Sequence, residues 1–180
     1  AVASGAAGVL CFAPFGLFWL VPLVWLGLFQ LLRGAGTVRQ AALTGLAFGL
    51  GFFLTGVSWV YVSLSVFGGM PWWLAGIAAF LFCAVMSLFP MLAGALFKHW
   101  PPASWWQQAL FFAALIAAVD WLRSWIFTGF PWLAVGYSQA PPSPLAGFAP
   151  LLGVHGLSLL VALAGALLLR WRAGLAFLTL

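Results

Sequence analysis

Three long stretches of this chain, residues 1–32, 40–97 and 124–169, contain no Asp, Glu, Lys or Arg. Of the 180 residues, 66% are hydrophobic and 4% are charged, whereas a soluble domain carries about 25% charged residues. One acidic and six basic side chains cannot build a water-soluble surface. The sequence therefore predicts an all-α integral membrane protein, and its formal net charge of +5 does not indicate a nucleic acid partner.

Turn residues divide the uncharged stretches into helices. A helix needs about 20 apolar residues to cross the hydrocarbon of a bilayer, so the two longest stretches must each fold back on themselves. Turns are predicted at Ala13–Gly16, at Phe67–Pro71 and between Thr128 and Pro150. The result is one transmembrane domain, a polytopic bundle of about seven helices with the first and last incomplete. The predicted spans lie near residues 1–13, 17–32, 40–66, 73–97, 105–127, 150–169 and 173–180.

The positions of the basic residues predict an orientation. Arg33 and Arg39 share one predicted loop, Lys98 lies in a second, and Arg170 and Arg172 lie in a third. Counted along the predicted helices, these three loops fall on the same side of the membrane. Lys and Arg are enriched in cytoplasmic loops, so this side is predicted to be cytoplasmic and the last helix to run outward.

One pair of charges lies on the other side. Asp120, the single acidic residue of the chain, precedes Arg123 by three residues, which places both on one face of a helix. Ionisable groups at membrane depth cost about 2.5–3.5 kcal/mol each and normally have a function or a partner. Two interpretations stay open: the pair fixes the following loop, or Arg123 holds an anionic lipid phosphate while Asp120 orients it.

Aromatic and turn residues surround this pair. Trp59 and Tyr61, near the end of the third predicted helix, either anchor it at the membrane interface or line a lateral opening for acyl chains. A Gly-Phe-Pro-Trp turn and a Gly-Tyr-Ser-Gln segment follow Arg123. The residues predicted to bind lipid or substrate, or to contact another domain, are Asp120, Arg123, Trp59, Tyr61, Phe130, Pro131, Trp132 and Tyr137.

The remaining reactive side chains form no recognisable catalytic pattern. Cys11 and Cys83 lie in apolar runs and are interpreted as small buried side chains. His155 is interpreted as a loop or cap histidine, and Ser158 has no spare acid with which to complete a catalytic triad. No phosphate loop, dinucleotide fingerprint or metal motif occurs. We therefore assign no catalytic residue, metal site or cofactor to these residues.

Seven short motifs, in order along the chain, carry a resemblance to a known family. They are Phe12–Phe15, Gly56–Ser63, Phe67–Pro71, Asp120–Arg123, Thr128–Trp132, Gly136–Gln139 and Ala149–Val154. Together they resemble the N-terminal membrane domain of the apolipoprotein N-acyltransferases. One departure is that members of the family often carry Glu where Asp120 stands, a change that keeps the charge.

The resemblance implies a function that composition alone does not. The family transfers an acyl chain from a membrane phospholipid to the amino group of diacylglyceryl-cysteine on bacterial lipoproteins, through a thioester on a cysteine. It works at the outer face of the bacterial inner membrane. The catalytic Glu, Lys and Cys are expected in a periplasmic nitrilase-like domain after residue 180. Neither Cys11 nor Cys83 matches the nucleophile.

Two other functions are alternatives. A related bundle could serve as a non-catalytic membrane anchor or partner subunit, for example of a polyprenol-phosphate glycosyltransferase. A small transporter would require inverted repeats and a polar site at the midplane of the membrane, and the sequence has neither.

Overall fold

The computed structural model describes the backbone of residues 1–178 and the side chains of residues 1–170. Within that part the chain is all-α and has no strand, which confirms the predicted fold class. Helices α1 to α7 are Val2–Gly8, Val21–Gly34, Val38–Gly56, Trp59–Val62, Trp72–His99, Trp105–Arg123 and Ala149–Leu178.

Three helical stretches are long and apolar enough to cross a membrane: Val38–Gly56, Trp72–His99 and Pro144–Arg170. Two shorter apolar stretches, Val2–Cys11 and Phe18–Gly34, accompany them. The 28 residues of α5 extend about 42 Å at 1.5 Å per residue, which exceeds the hydrocarbon thickness of a bilayer. The architecture is that of a polytopic membrane bundle.

The third predicted span, 40–66, is not one helix. Helix α3 ends at Gly56, and a short α4 and a π-helical turn at Ser63–Phe67 follow. A Cβ at Gly56 would overlap the side chain of Leu133, so the end of α3 abuts the loop between α6 and α7. The chain therefore turns at Val57, whose φ of −120° and ψ of 14° are not helical.

The chain near residue 171 also differs from the prediction. Helix α7 continues from Ala149 to Leu178 with one kink at Gly153 (φ 64°, ψ 178°). No turn separates the predicted spans 150–169 and 173–180, because residues 170–172 include only Arg and Trp and no Gly or Pro that would end a helix. Residues 179–180 of the last predicted span lie outside the described residues.

Helices α3 and α5 approach each other most closely where small residues face backbone. A Cβ at Gly45 would overlap the carbonyl oxygen of Pro90, and a Cβ at Gly49 would overlap Ser87. Small residues allow such backbone contact between membrane helices and gain van der Waals energy there. The Gly45–Gly49 pair thus packs one helix of this chain against another.

Side-chain contacts distinguish two ends of the bundle. The Arg33 Nε donates to Gln108 Oε1 at 2.9 Å, and Arg170 lies over the rings of Trp105 and Trp106. Arg39 at the start of α3 and Lys98 at the end of α5 lie at the same end of the bundle. We call the end that carries Arg33, Arg39, Lys98 and Arg170 the basic end. Arg123 lies 15 residues beyond Gln108 on α6, about 22 Å away along the helix. We call that opposite end, formed by residues 57–71 and 124–148, the loop end.

The close contact between α3 and α5 generates a prediction. Gly45→Ala is expected to lower the free energy of unfolding by about 1–3 kcal/mol, because the added methyl group overlaps the backbone of α5. Gly76→Ala is the matched control, since a Cβ at Gly76 meets no atom within 4 Å. Denaturant unfolding of both variants in detergent micelles measures the difference, and equal stability of the two would contradict this account of the packing.

Candidate functional site

The segment that joins α6 to α7, residues 124–148, is the long loop. It is built from three 3₁₀ turns, at Ile126–Thr128, Val135–Gln139 and Pro144–Phe148. Three of its non-glycine residues have positive φ: Phe127 at 52°, Thr128 at 76° and Leu133 at 60°. Such conformations cost about 1–3 kcal/mol each and persist only where surrounding contacts determine them. The loop therefore depends on the contacts that hold its backbone.

Asp120 supplies the first of those contacts from the last turn of α6. Its Oδ2 accepts hydrogen bonds from the backbone N–H of Val135 at 2.8 Å and from the Ser158 hydroxyl at 2.9 Å. Its Oδ1 accepts from the Arg123 guanidinium at 3.1 Å. The carboxylate thus bonds at once to α6, to the long loop and to α7.

Arg123 supplies the second set of contacts, one turn further along α6. Its Nη1 donates to the carbonyl oxygens of Phe130 at 2.6 Å and Trp132 at 2.5 Å. The guanidinium carbon also lies 5.2 Å from the ring centroid of Phe53 in α3. Because donors on a charged group make strong hydrogen bonds, Arg123 fixes the Phe-Pro-Trp turn directly above it.

Ser158 in α7 completes the network. Besides donating to Asp120, its hydroxyl oxygen accepts the backbone N–H of Gly136 at 2.9 Å. A Cβ at Gly136 would overlap the carbonyl oxygen of Val154, so only glycine permits this approach of the loop to α7. Sequence reasoning weighed Ser158 only as a triad member and missed this role. The available signal was a hydroxyl group inside an otherwise apolar helix.

A second chain of hydrogen bonds stiffens the rest of the long loop. The Ser138 hydroxyl donates to the Val135 carbonyl oxygen at 2.6 Å and accepts from the Gln139 amide at 3.0 Å. The Ser143 hydroxyl donates to the Gln139 side-chain oxygen at 2.7 Å. Ser138, Gln139 and Ser143 are all buried. The long loop is therefore held in one conformation by buried hydrogen bonds between its own side chains as well as by its bonds to α6 and α7.

These contacts bear on the two interpretations of the charge pair. Arg123 is 2% exposed and Asp120 is 6% exposed. The guanidinium faces loop carbonyls and the carboxylate, which favours the interpretation that the pair fixes the loop. Phosphate binding by Arg123 stays a prediction, and it would require the side chain to leave these bonds.

Three of the predicted aromatic residues, Trp59, Phe130 and Trp132, lie at the loop end in contact with other aromatic rings. The rings of Trp132 and Trp59 lie 5.4 Å apart, and both are partly exposed. Phe130 packs edge-on against Phe82 of α5 at 4.8 Å. Next to them a cleft of about 460 Å³, which we call the Trp132 cleft, is lined by Phe12, Ala13, Pro131, Trp132, Leu133 and Tyr137.

Tyr61 lies at a different place. It lines a lateral groove of about 480 Å³, the Tyr61 groove, with six residues of α5: Trp72, Trp73, Gly76, Ile77, Phe80 and Leu81. A neighbouring depression of about 270 Å³ continues the groove between α3 and α5, past Leu54 and Val57. Of the eight predicted residues, the structure thus brings six to the network and its cleft, and it packs a seventh, Trp59, against Trp132. It places Tyr61 in a separate apolar groove.

Comparison with known proteins agrees with this architecture. Residues 4–167 match the family described as the apolipoprotein N-acyltransferase N-terminal domain. The chain is 54% identical over 175 residues, 95% of its length, to an apolipoprotein N-acyltransferase of Nitrosomonas europaea. It is 43% identical to one of Chromobacterium violaceum and 42% identical to one of Ralstonia nicotianae, over 97% and 96% of this chain. The chain covers 34%, 34% and 35% of these three relatives, about a third of their length.

The buried network generates a second prediction. Ser158→Ala is expected to destabilise the protein by about 1–3 kcal/mol, because it leaves the N–H of Gly136 buried without its acceptor. Asp120→Asn is expected to cost more, about 3–5 kcal/mol, because it leaves the buried guanidinium of Arg123 without a countercharge. Unfolding in detergent gives the energies, and limited proteolysis within residues 124–148 reports on the loop itself.

Ser58→Ala is the control for that series, since the Ser58 hydroxyl is exposed and bonds only locally, to the Thr55 carbonyl oxygen at 3.3 Å. If Ser158→Ala were as stable and as resistant to protease as Ser58→Ala, the hydroxyl of Ser158 would not support the loop.

Proposed function

Because the chain belongs to the apolipoprotein N-acyltransferase family, we propose that it forms the membrane domain of an enzyme that acylates bacterial lipoproteins. The complete enzyme transfers an acyl chain from a membrane phospholipid to the N-terminal amino group of diacylglyceryl-cysteine. The chain spans about a third of its relatives, so the groups that carry out the transfer are assigned to the remainder of the protein. In this proposal that remainder includes a periplasmic nitrilase-like domain with the cysteine that carries the thioester.

The observation that best supports this role is the ordered loop end. A loop held to α6 by Asp120 and Arg123 and to α7 by Ser158 presents a fixed aromatic surface instead of a mobile one. An enzyme that joins two membrane-embedded substrates gains rate from holding them in one place and orientation. The loop end is proposed as the surface on which the catalytic domain and the two lipid substrates meet.

The Tyr61 groove and the Trp132 cleft are proposed to have different roles in the acyl transfer. The Tyr61 groove opens sideways along α5 and is proposed to admit an acyl chain of the phospholipid donor from the bilayer. The Trp132 cleft lies above the bundle and is proposed to contact the catalytic domain or the diacylated lipoprotein through Pro131, Trp132 and Tyr137. Asp120 and Arg123 act indirectly here, by holding the loop that carries these aromatic residues.

The basic residues support an orientation in the bacterial inner membrane. Lys and Arg are enriched on the cytoplasmic side, so the basic end is proposed to be cytoplasmic and the loop end periplasmic. This places the Trp132 cleft on the side where lipoproteins are acylated in the proposed reaction.

The orientation leads to a labelling prediction. With Cys11 and Cys83 replaced by alanine, a cysteine at Gly147 is expected to react with a membrane-impermeant maleimide added to intact spheroplasts. A cysteine at Gly36 is expected to react only after the membrane is opened. A Cβ at Gly147 meets no atom within 4 Å, so the substitution leaves the loop undisturbed. The reverse labelling pattern would contradict the proposed orientation.

The proposed function leads to an activity prediction. In the complete protein, Trp132→Ala is expected to lower kcat/KM for acylation of a diacylated lipopeptide about threefold to tenfold, because it removes an aromatic contact of the Trp132 cleft and such a contact is worth about 0.5–1.5 kcal/mol. Trp100→Ala is the control, since Trp100 is also more than half exposed but lies at the basic end. Mass spectrometry of the lipopeptide measures the product.

Two results would count against the proposal. Absence of N-acylation by the folded complete protein would remove the assigned reaction. Equal kinetics of Trp132→Ala and Trp100→Ala would separate the loop end from the reaction.

A further inference from the structure

The basic end carries positive charge that this chain does not neutralise. Within the part of the chain that the structure describes, four basic residues lie there: Arg33, Arg39, Lys98 and Arg170. The single Asp or Glu of the 180 residues, Asp120, is buried at the loop end and bonded to Arg123. No carboxylate side chain of these residues can therefore reach the basic end, so none competes there with an anion from outside them.

One of these cations lines an open cleft on the surface of the bundle. A cleft of about 390 Å³ between the start of α6 and the end of the described part of α7 is lined by Trp105, Trp106, Leu167 and Arg170. The Arg170 guanidinium carbon lies 5.9 Å and 5.4 Å from the ring centroids of Trp105 and Trp106. A guanidinium that lies over an aromatic ring still has N–H groups for bidentate recognition of a phosphate. We call this recess the Arg170 cleft.

A second guanidinium contacts the same turn of α6. The Arg33 Nε donates to Gln108 Oε1 at 2.9 Å, and the Gln108 amide donates to the Pro102 carbonyl oxygen at 3.0 Å. Arg33 and Arg170 thus both contact side chains of residues 105–108, from α2 and from α7. The helix N-terminus is already capped by Ser104 and Gln107, so the two arginines, and not free N–H groups of α6, are the donors available at this point.

We propose that the Arg170 cleft binds the phosphate headgroup of an anionic phospholipid from the leaflet at the basic end. Basic pockets between transmembrane helices are suited to anionic lipid headgroups, and tryptophan side chains lie at headgroup level. The apolar wall at Leu167 matches the glycerol and upper acyl region of a lipid, which free phosphate would leave uncovered. This site lies at the opposite end of α6 from the Trp132 cleft and does not depend on the proposed reaction.

The test uses the complete protein in detergent, titrated with ether-linked phosphatidylglycerol, whose ether chains cannot be transferred as acyl groups. Native mass spectrometry gives the affinity. Arg170→Gln is expected to weaken binding about fivefold, the equivalent of about 1 kcal/mol per basic residue near an anionic surface. Trp106→Leu is expected to weaken it as well. Ether-linked phosphatidylcholine, which has no net charge, is expected to bind all variants equally.

Arg39→Gln is the matched control, because it removes the same charge from the same end outside the cleft. Its expected effect is less than twofold. Arg170→Lys keeps the charge but lacks the planar guanidinium, and it is expected to bind with intermediate affinity. This conservative variant keeps the test possible if Arg170→Gln does not fold. Gel filtration of every variant checks that it is folded.

Three results would overturn the proposal. Equal losses for Arg170→Gln and Arg39→Gln would mean that charge alone attracts the lipid. Unchanged affinity of Arg170→Gln and Trp106→Leu for phosphatidylglycerol would show that the lipid does not bind in the Arg170 cleft. Displacement of the lipid by an equal concentration of inorganic phosphate would assign the cleft to a free anion instead of a lipid.

Discussion

The carboxylate of Asp120 joins three segments, α6, the long loop and α7, at one point. Its two oxygens accept hydrogen bonds from Arg123, Val135 and Ser158. A buried ion pair is stabilising only when its remaining donors and acceptors are also satisfied, and here loop carbonyls and a hydroxyl group satisfy them. The positive φ values of the long loop are held in place by this arrangement, and the exposed aromatic surface depends on the loop.

Much of the architecture could be predicted because lipid imposes strict rules on composition. The uncharged stretches predicted an all-α polytopic membrane bundle, which the structure confirms, and the ordered motifs predicted the family that the comparisons show. The Asp120–Arg123 pair was identified because charge is rare in this sequence. Rarity indicated that the pair matters, but it did not distinguish a structural pair from a ligand-binding one.

The details that escaped prediction come from contacts between distant residues. Ser158 is 38 residues from Asp120, and the acceptors of Arg123 are backbone carbonyls, which every residue possesses. The break after Gly56 depends on contact with Leu133 in another segment. That break turns the chain, so Trp59 reaches Trp132 while Tyr61, two residues later, faces α5.

The packing of α3 on α5 has a geometric consequence for the lateral opening. The two helices are in backbone contact at Gly45 and Gly49, yet a depression separates them at Leu54 and Val57. The nearer of these contacts, at Gly49, lies five residues from Leu54, about 8 Å along α3. A larger side chain at Gly49 would push α5 away from α3 within two turns of that opening. A lineage of these proteins could adjust what the opening admits without altering any residue that lines it.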